Sequence, residues 1–397
     1  MFSHKSNPAP LRAEHNPITE VKRVNPKYVT SISELDNLVG LAPKEREKME
    51  TVTELFPFRS NEYYLSLIDW KDGHDPLKKI VIPDPRELKT GGSCDPSCEK
   101  NYTKQPGLQH KYDQTGLLLL TDVCGGICRF CFRKRLFMSC ERETVKDVSD
   151  NIAYIREHRE ITNVLLTGGD PLTLETRHLE SVLRELREIP HVNIIRIGSK
   201  MLAYNPYRIL NDPDLLAALS RYSTPEKRIY LMAHFNHPRE LTAVSREAAE
   251  ALRHAGVIVV NQTPILNGIN DNPETLTTLF RQVSFAGISP YYVFQCRPTT
   301  GNHFFQVPVE QSYEILQKSW ETCSGLAKRA RFIMSHATGK IEMVGKTADH
   351  VFMRYHQAAN PKNIGKFMVF RANPVARWFD DYHHALTDFE PKKVWLF

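Results

Sequence analysis

The chain of 397 residues has no run of about 18 apolar residues, so no membrane-spanning helix is expected. Its opening text, MFSHKSNPAPLRAEHNP, lacks the apolar stretch of a secretory signal, which makes a cytoplasmic protein the expectation. Neither sign of charge dominates. The 52 Lys and Arg oppose 46 Asp and Glu, and a net +6 over this length does not make a nucleic-acid coat. No internal repeat with a period of roughly 20–50 residues is visible. With 41% hydrophobic and 25% charged residues, wholesale disorder is excluded. Eight cysteines are present, and in a reducing compartment spaced cysteines point to metal or catalysis rather than to disulfides.

Residues 1–30, with prolines at 8, 10, 17 and 26, read as a mobile or docking tail. From Ile32 to about Tyr64 the text is helical and charged, and Ser31-x-x-Glu34 has the form of a capping box. Residues 81–107 are rich in Pro and Gly, include Cys94 and Cys98, and read as a long surface loop. From residue 117 short apolar runs alternate with amphipathic stretches. The runs are Leu117–Thr121, Asn163–Thr167, Asn193–Gly198, Arg228–Phe235, Val257–Thr263, Tyr291–Cys296 and Arg331–Ser335. Helices are expected near 144–159, 175–188, 213–222, 239–255, 273–286 and 309–329, with Thr173 and Asn272 as caps for two of them. Nearly continuous apolar strands suit parallel strands buried on both faces. The expected fold is therefore α/β, a partial parallel (β/α)6 TIM-type barrel with an N-terminal helical extension and a short C-terminal segment. A doubly wound sheet is the alternative. The expected division is 1–110 for the extension, 111–345 for the barrel and 346–397 for a segment rich in His, Arg and aromatics that packs on the barrel or on a partner subunit.

After the first apolar run the sequence reads Cys124-Gly-Gly-Ile-Cys128-Arg-Phe-Cys131. Three thiolates on one short loop can hold three irons of a cubic iron–sulfur cluster, whereas such sites usually take four cysteines. The next cysteine is Cys140. A three-ligand loop leaves one iron open to a substrate or cofactor. Gly125 and Gly126 allow the backbone to fold tightly around the cluster. A structural zinc site is the competing reading, but its second cysteine arm is missing.

The C-x3-C-x2-C loop after a first barrel strand is the signature of the radical S-adenosylmethionine superfamily. Further motifs resemble lysine 2,3-aminomutase and its relatives. They are Pro106-Gly-Leu-Gln-His-Lys-Tyr112, Leu166-Thr-Gly-Gly-Asp-Pro-Leu172, His234-Phe-Asn-His-Pro238, Asn261-Gln262 with Asn267-Gly-Ile-Asn-Asp271, and Pro290-Tyr-Tyr292. The resemblance runs from about 80 to 345. It implies an isomerase in which Cys124, Cys128 and Cys131 hold a [4Fe–4S] cluster and S-adenosylmethionine yields a deoxyadenosyl radical. It implies a small amino acid as substrate, a reductant such as flavodoxin or ferredoxin, and a homo-oligomer as one possible state. By the same resemblance Gly168, Gly169 and Asp170 lie along the methionyl amino group, with Asp170 able to pair with an ammonium. Ser199 and Lys200 meet the methionyl carboxylate, and Gln262 faces the cofactor. Arg133 binds the substrate carboxylate, while Lys134 and Arg135 read as a solvated surface run. Phe130 and Phe132 exclude water. His234 and His237 are a conceivable metal pair, but polar residues lining the barrel mouth is the preferred reading.

Aminomutases of this group move an amino group from C2 to C3 with pyridoxal phosphate held by a lysine. Lys340 in Ser335-His-Ala-Thr-Gly-Lys340 matches that position. The phosphate clamp departs from the family: His110-Lys111-Tyr112 keeps one cation, and Thr115 stands where a second arginine is usual. Where lysine enzymes hold the distal ammonium with aspartate, this chain has Gln295-Cys296-Arg297. Arg297 would repel a lysine side chain, so the expected substrate is not free lysine but carries an acidic or polar distal end. The cysteines that bind zinc near the C-terminus of some relatives have no counterpart here, since Cys323 is the last. Two other readings stand beside this one. One is a radical enzyme without pyridoxal phosphate that modifies a protein lysine or another small molecule. The other is a zinc-stabilised binding module without catalysis.

Overall fold

The computed structural model describes residues 25–89, 91–138 and 143–386. Most of the expected tail, and Cys140, therefore lie outside the described residues. Two short strands, β1 (Tyr28–Val29) and β2 (Ser60–Asn61), pair antiparallel. All other strands join one twelve-stranded sheet. β3 (Thr103–Gln105) and β4 (Leu108–Tyr112) lead antiparallel into β5 (Thr115–Thr121). From there β5, β6 (Asn163–Gly168), β7 (Ile194–Ser199), β8 (Ile229–Ala233), β9 (Ile258–Ile265), β10 (Ser289–Gln295) and β11 (Arg331–His336) run parallel, each beside the one before it. β12 (Gly339–Lys346), β13 (His350–Ala358) and β14 (Phe367–Arg371) extend the sheet antiparallel. The fold is thus α/β with a mixed sheet whose central strands are parallel. The seven apolar runs of the sequence are β5 to β11.

Each crossover helix covers the sheet with an apolar stripe. Thr176–Arg187 buries Leu179, Val182, Leu183 and Leu186 at helical spacing, against a core that includes Val164, Leu166, Ile195 and Ile197. Each of these fully buried side chains contributes about 1.5–3 kcal/mol. The expected caps at Ser31 and Asn272 form: Ser31 Oγ accepts from Glu34 N at 3.1 Å, and Asn272 accepts from Thr275 N at 2.8 Å. Thr173 does not cap its helix. It closes a 3-10 turn, Pro171–Thr173, and the helix starts at Thr176.

The sheet is continuous across both expected boundaries. Residues 110 and 111 lie within β4, and residues 345 and 346 within β12. The C-terminal segment packs on the sheet: Met353, Tyr355, Phe370, Trp378 and Tyr382 share a core with Phe332 and Met334. The N-terminal helices Ile32–Val39, Pro43–Thr53, Glu62–Ser66 and Pro76–Val81 share a core with Phe130, Tyr204 and Leu266, and so pack against the cysteine loop. No helix among the described residues is long and apolar enough to cross a membrane.

Candidate functional site

One cavity of about 330 Å³ touches every strand from β5 to β11 through Leu117, Leu165, Arg196, Met232, Gln262, Tyr292 and Ser335. Cys124, Cys128 and Cys131 face it together. Burial pushes all three thiols up, Cys128 to about 12. Their loop is held from behind by the N-terminal extension. Arg59 Nε donates to Cys124 O at 2.8 Å, Asn61 Nδ2 to Gly125 O at 3.2 Å, Ile127 N to Arg59 O at 2.9 Å and Arg129 N to Ile80 O at 2.8 Å. Arg129 is 1% exposed, and its guanidinium meets both oxygens of Glu87, at 2.8 and 2.9 Å, and the carbonyls of Pro57 and Phe56. The glycines sit in close contact: a Cβ at Gly125 would fall 2.4 Å from Met201 Sδ, and one at Gly126 2.9 Å from the Tyr204 ring. Three soft sulfur donors on a clamped loop beside a cavity fit an iron–sulfur cluster with one iron left accessible. Among the described residues no three His, Cys, Asp or Glu side chains are grouped to hold a single metal ion.

The Gly168-Gly169-Asp170 turn lines the cavity and packs closely on the backbone at and after the end of β5. Gly168 has φ +115°, and a Cβ there would fall 2.4 Å from Thr121 O; at Gly169 it would fall 2.3 Å from Val123 O. Asp170 is not a free carboxylate. It accepts from Leu172 N, Ser199 Oγ and Lys200 N, at 3.0, 3.0 and 2.7 Å. Burial nevertheless raises its pKa to about 6. Lys200, expected at a cofactor carboxylate, is spent on Glu240, Asn236 Oδ1 and His234 O. His237 caps a 3-10 turn, while His234 lines the cavity, its Nε2 buried and unpartnered among the described residues. The polar-lining reading fits His234 and not His237.

Arg133, Lys134 and Arg135 are all buried, so the surface reading of Lys134 and Arg135 is corrected. Glu143 and Glu99 are the reason for Arg135: Glu143 accepts from it at 2.7 and 2.9 Å, and the Glu99 carboxylate binds Arg133 at 2.9 and 3.1 Å and Arg135 at 2.6 Å. Glu87 is the reason for Lys134, which it meets at 2.9 Å. Burial raises the Glu99 pKa, but Arg133, Arg135 and Arg297 outweigh it and hold the group well below the usual carboxylate range. Arg133 also donates to Thr167 Oγ1 at 3.0 Å. Arg297 differs. Its guanidinium lies 3.6 Å from the Phe132 ring centroid, and its Nη1 is buried without a partner among the described residues. Burial lowers its pKa to about 10.

Lys340 is the second residue of β12, opposite Ser335 across a tight hairpin, rather than standing in a loop. Its amine faces the cavity, 5.5–5.9 Å from the ring centroids of Tyr112, Tyr292 and Phe294. Burial, followed by the charges of Arg196, Arg297, Lys111 and Arg133, lowers its pKa to about 7. Lys111 donates to His336 O at 2.7 Å, and burial lowers it to about 8. Arg196, which sequence reasoning missed, lines the same cavity, its Nε donating to Asn163 Oδ1 at 2.8 Å. Its alternation with buried Ile195 and Ile197 on β7 was the available signal. Lys111, Arg133, Arg196, Arg297 and Lys340 thus line one cavity in which the carboxylates of Glu99 and Asp170 are already engaged.

Residues 118–279 match the family model for the radical SAM superfamily. A protein of Aquifex aeolicus provisionally named L-lysine 2,3-aminomutase is 54% identical over 365 residues, covering 92% of this chain and 98% of the relative. The L-lysine 2,3-aminomutase of Clostridium subterminale is 36% identical over 292 residues, 73% of this chain and 69% of the relative. The glutamate 2,3-aminomutase of Clostridioides difficile is 34% identical over 335 residues, 82% and 78%.

Proposed function

The chain belongs to the lysine 2,3-aminomutase family of the radical SAM superfamily, and on that premise we propose that this radical SAM aminomutase moves the 2-amino group of an acidic amino acid to C3. Membership sets aside the non-catalytic zinc module. In this reading β5 to β11 form a partial barrel around the cavity. Cys124, Cys128 and Cys131 hold a [4Fe–4S] cluster, with S-adenosylmethionine along Gly168, Gly169, Asp170, Ser199 and Gln262. The engaged Asp170 carboxylate supports a role in shaping that surface, with Ser199, rather than in pairing with an ammonium. Lys340 holds pyridoxal phosphate, and Lys111, Arg196 and Tyr112 line its place. When bound, the cluster and S-adenosylmethionine supply the hydrogen-abstracting radical, and pyridoxal phosphate supplies the carbonyl that carries the migrating nitrogen.

The remaining chemistry belongs to the protein. A lysine whose pKa is near 7 presents a neutral, nucleophilic amine at physiological pH. The burial of the Lys340 amine among the rings of Tyr112, Tyr292 and Phe294 favours pyridoxal attachment over a radical enzyme without that group. Phe130 and Phe132 keep water from the thiolate side. Arg133, held by Glu99, offers its remaining donor face to the α-carboxylate, and Arg297 takes the distal carboxylate. The unpaired Arg297 guanidinium in a cation-rich cavity carries the substrate reading. A flavodoxin or ferredoxin as reductant, a cytoplasmic setting and a homo-oligomer belong to the same reading. The test is product formation from glutamate and from lysine by anaerobically reconstituted protein; faster turnover of lysine refutes the acidic substrate.

A further inference from the structure

Tyr204 has no part in the reading above, yet its hydroxyl lies 3.0 Å from Cys128 Sγ. The residue is 1% exposed and lines the same cavity as the three thiols. Its position is over-determined. The short helix Met201–Tyr204 starts where Asp170 accepts from Ser199 Oγ and Lys200 N. Asn61 Nδ2, which also holds Gly125 O, donates to Tyr204 O at 2.8 Å. The Tyr64 ring meets the Tyr204 ring edge-on at 4.6 Å, and the Tyr64 hydroxyl is fixed to Glu240 at 2.7 Å. A Cβ at Gly126 would fall 2.9 Å from the phenol ring, so glycine there leaves the space through which the hydroxyl reaches the sulfur.

We infer that Tyr204 is a positioning residue for cluster reduction: its phenol donates a hydrogen bond to the Cys128 thiolate ligand and raises the reduction potential of the cluster. The inference rests on the assignment of Cys124, Cys128 and Cys131 as iron ligands. A metal-bound thiolate has no proton, so within this pair the phenol must be the donor. Reduction adds one electron from a low-potential reductant to the cluster and transfers no atom. The added negative charge spreads onto the ligand sulfurs, and a donor aimed at one of them stabilises the reduced form more than the oxidised form. The nearby Lys200 ammonium, 5.2 Å from the Tyr204 ring centroid, is matched by Glu240 at 2.6 Å. The hydroxyl is therefore the directed polar group at this sulfur.

Wild-type protein, Tyr204→Phe and Tyr64→Phe are reconstituted with iron and sulfide and titrated with dithionite, and the reduced cluster is counted by electron paramagnetic resonance. At the wild-type midpoint the reduced-to-oxidised ratio of Tyr204→Phe is expected to fall about tenfold, a shift of ~59 mV to more negative potential for a one-electron couple. Tyr64→Phe, which leaves the sulfur contact intact, is expected to stay near the wild-type value. Protein carrying 3-fluorotyrosine at position 204, a more acidic donor, is expected to shift the other way. That arm decides the matter if Tyr204→Phe does not retain a cluster. Identical potentials in wild-type, Tyr204→Phe and fluorotyrosine proteins of equal iron and sulfide content overturn the inference while leaving the cysteine assignment standing. Wild-type protein that takes up no iron and sulfide overturns both.

Discussion

Replacing Arg297 by Met removes a charge from the cavity wall while keeping an apolar side chain of similar length against Phe132. The wild-type guanidinium stands 3.6 Å from that ring centroid, and Glu99, the nearby carboxylate, is already bound to Arg133 and Arg135. A ligand charge about 5 Å from Arg297 interacts with it by about 3 kcal/mol at an effective dielectric of ~20. Water at the cavity mouth screens this further, so half of it, about 1.5 kcal/mol, is a working value. Glutamate loses that attraction in Arg297→Met, and lysine is freed of a repulsion of similar size. The two effects add to about 3 kcal/mol, or about a hundredfold fall in the glutamate-to-lysine ratio of kcat/KM. The assay is a competition between the two amino acids, with both β-amino acid products measured by mass spectrometry in protein of matched cofactor content. An unchanged ratio in Arg297→Met would refute the electrostatic reasoning, and a wild-type preference for lysine would refute its premise.

The depressed pKa of Lys340 has a definite sign. An unfolded lysine keeps its proton to about pH 10.4, so between about 7 and 10 the unfolded chain binds the extra proton and stability rises with pH. Lys340→Met is therefore expected to raise the Tm of the cofactor-free protein at pH 7 and below, with the gain fading toward pH 10, and to abolish retained pyridoxal absorbance; a Tm difference independent of pH would contradict the assignment. Glu87→Gln leaves Arg129 and Lys134 buried with a weakened partner, an expected loss of about 3–5 kcal/mol in urea unfolding together with poor iron retention. Gly169→Ala forces a methyl to within 2.3 Å of Val123 O, so cluster content should fall sharply, whereas Gly73→Ala, whose Cβ meets nothing within 4 Å, should leave it unchanged.

The strands were legible because each was a short apolar run bounded by polar text, and the cysteine spacing was enough to point to the superfamily that the family model matches. Side-chain partners were not legible at that level. Lys134 and Arg135 formed a basic run that looked solvated; only Glu143 lies close by in sequence, while Glu87 and Glu99, which complete the burial, lie more than thirty residues earlier. The protein partners of Asp170 were not legible for the same reason, since Ser199 and Lys200 arrive with the next strand. Lys340 was located by motif, but its placement on a strand depended on β12 continuing the sheet, which a lone β-rich stretch does not announce. Arg196 was hidden in plain alternation between two isoleucines.

The clamp behind the cysteine loop also bears on the order in which the protein is made. Arg59 and Asn61 leave the ribosome before the loop they hold, and Asn61 bridges Gly125 to Tyr204, a residue 143 positions downstream of it. The full set of contacts around the loop is therefore complete only once β7 and the helix that follows it have been synthesised and docked. If the three thiols hold the proposed cluster, its insertion then follows synthesis of at least residues 1–204 of the 397. Synthesis stalled before residue 204 would leave the three thiols exposed to oxidants without the walls that later protect them.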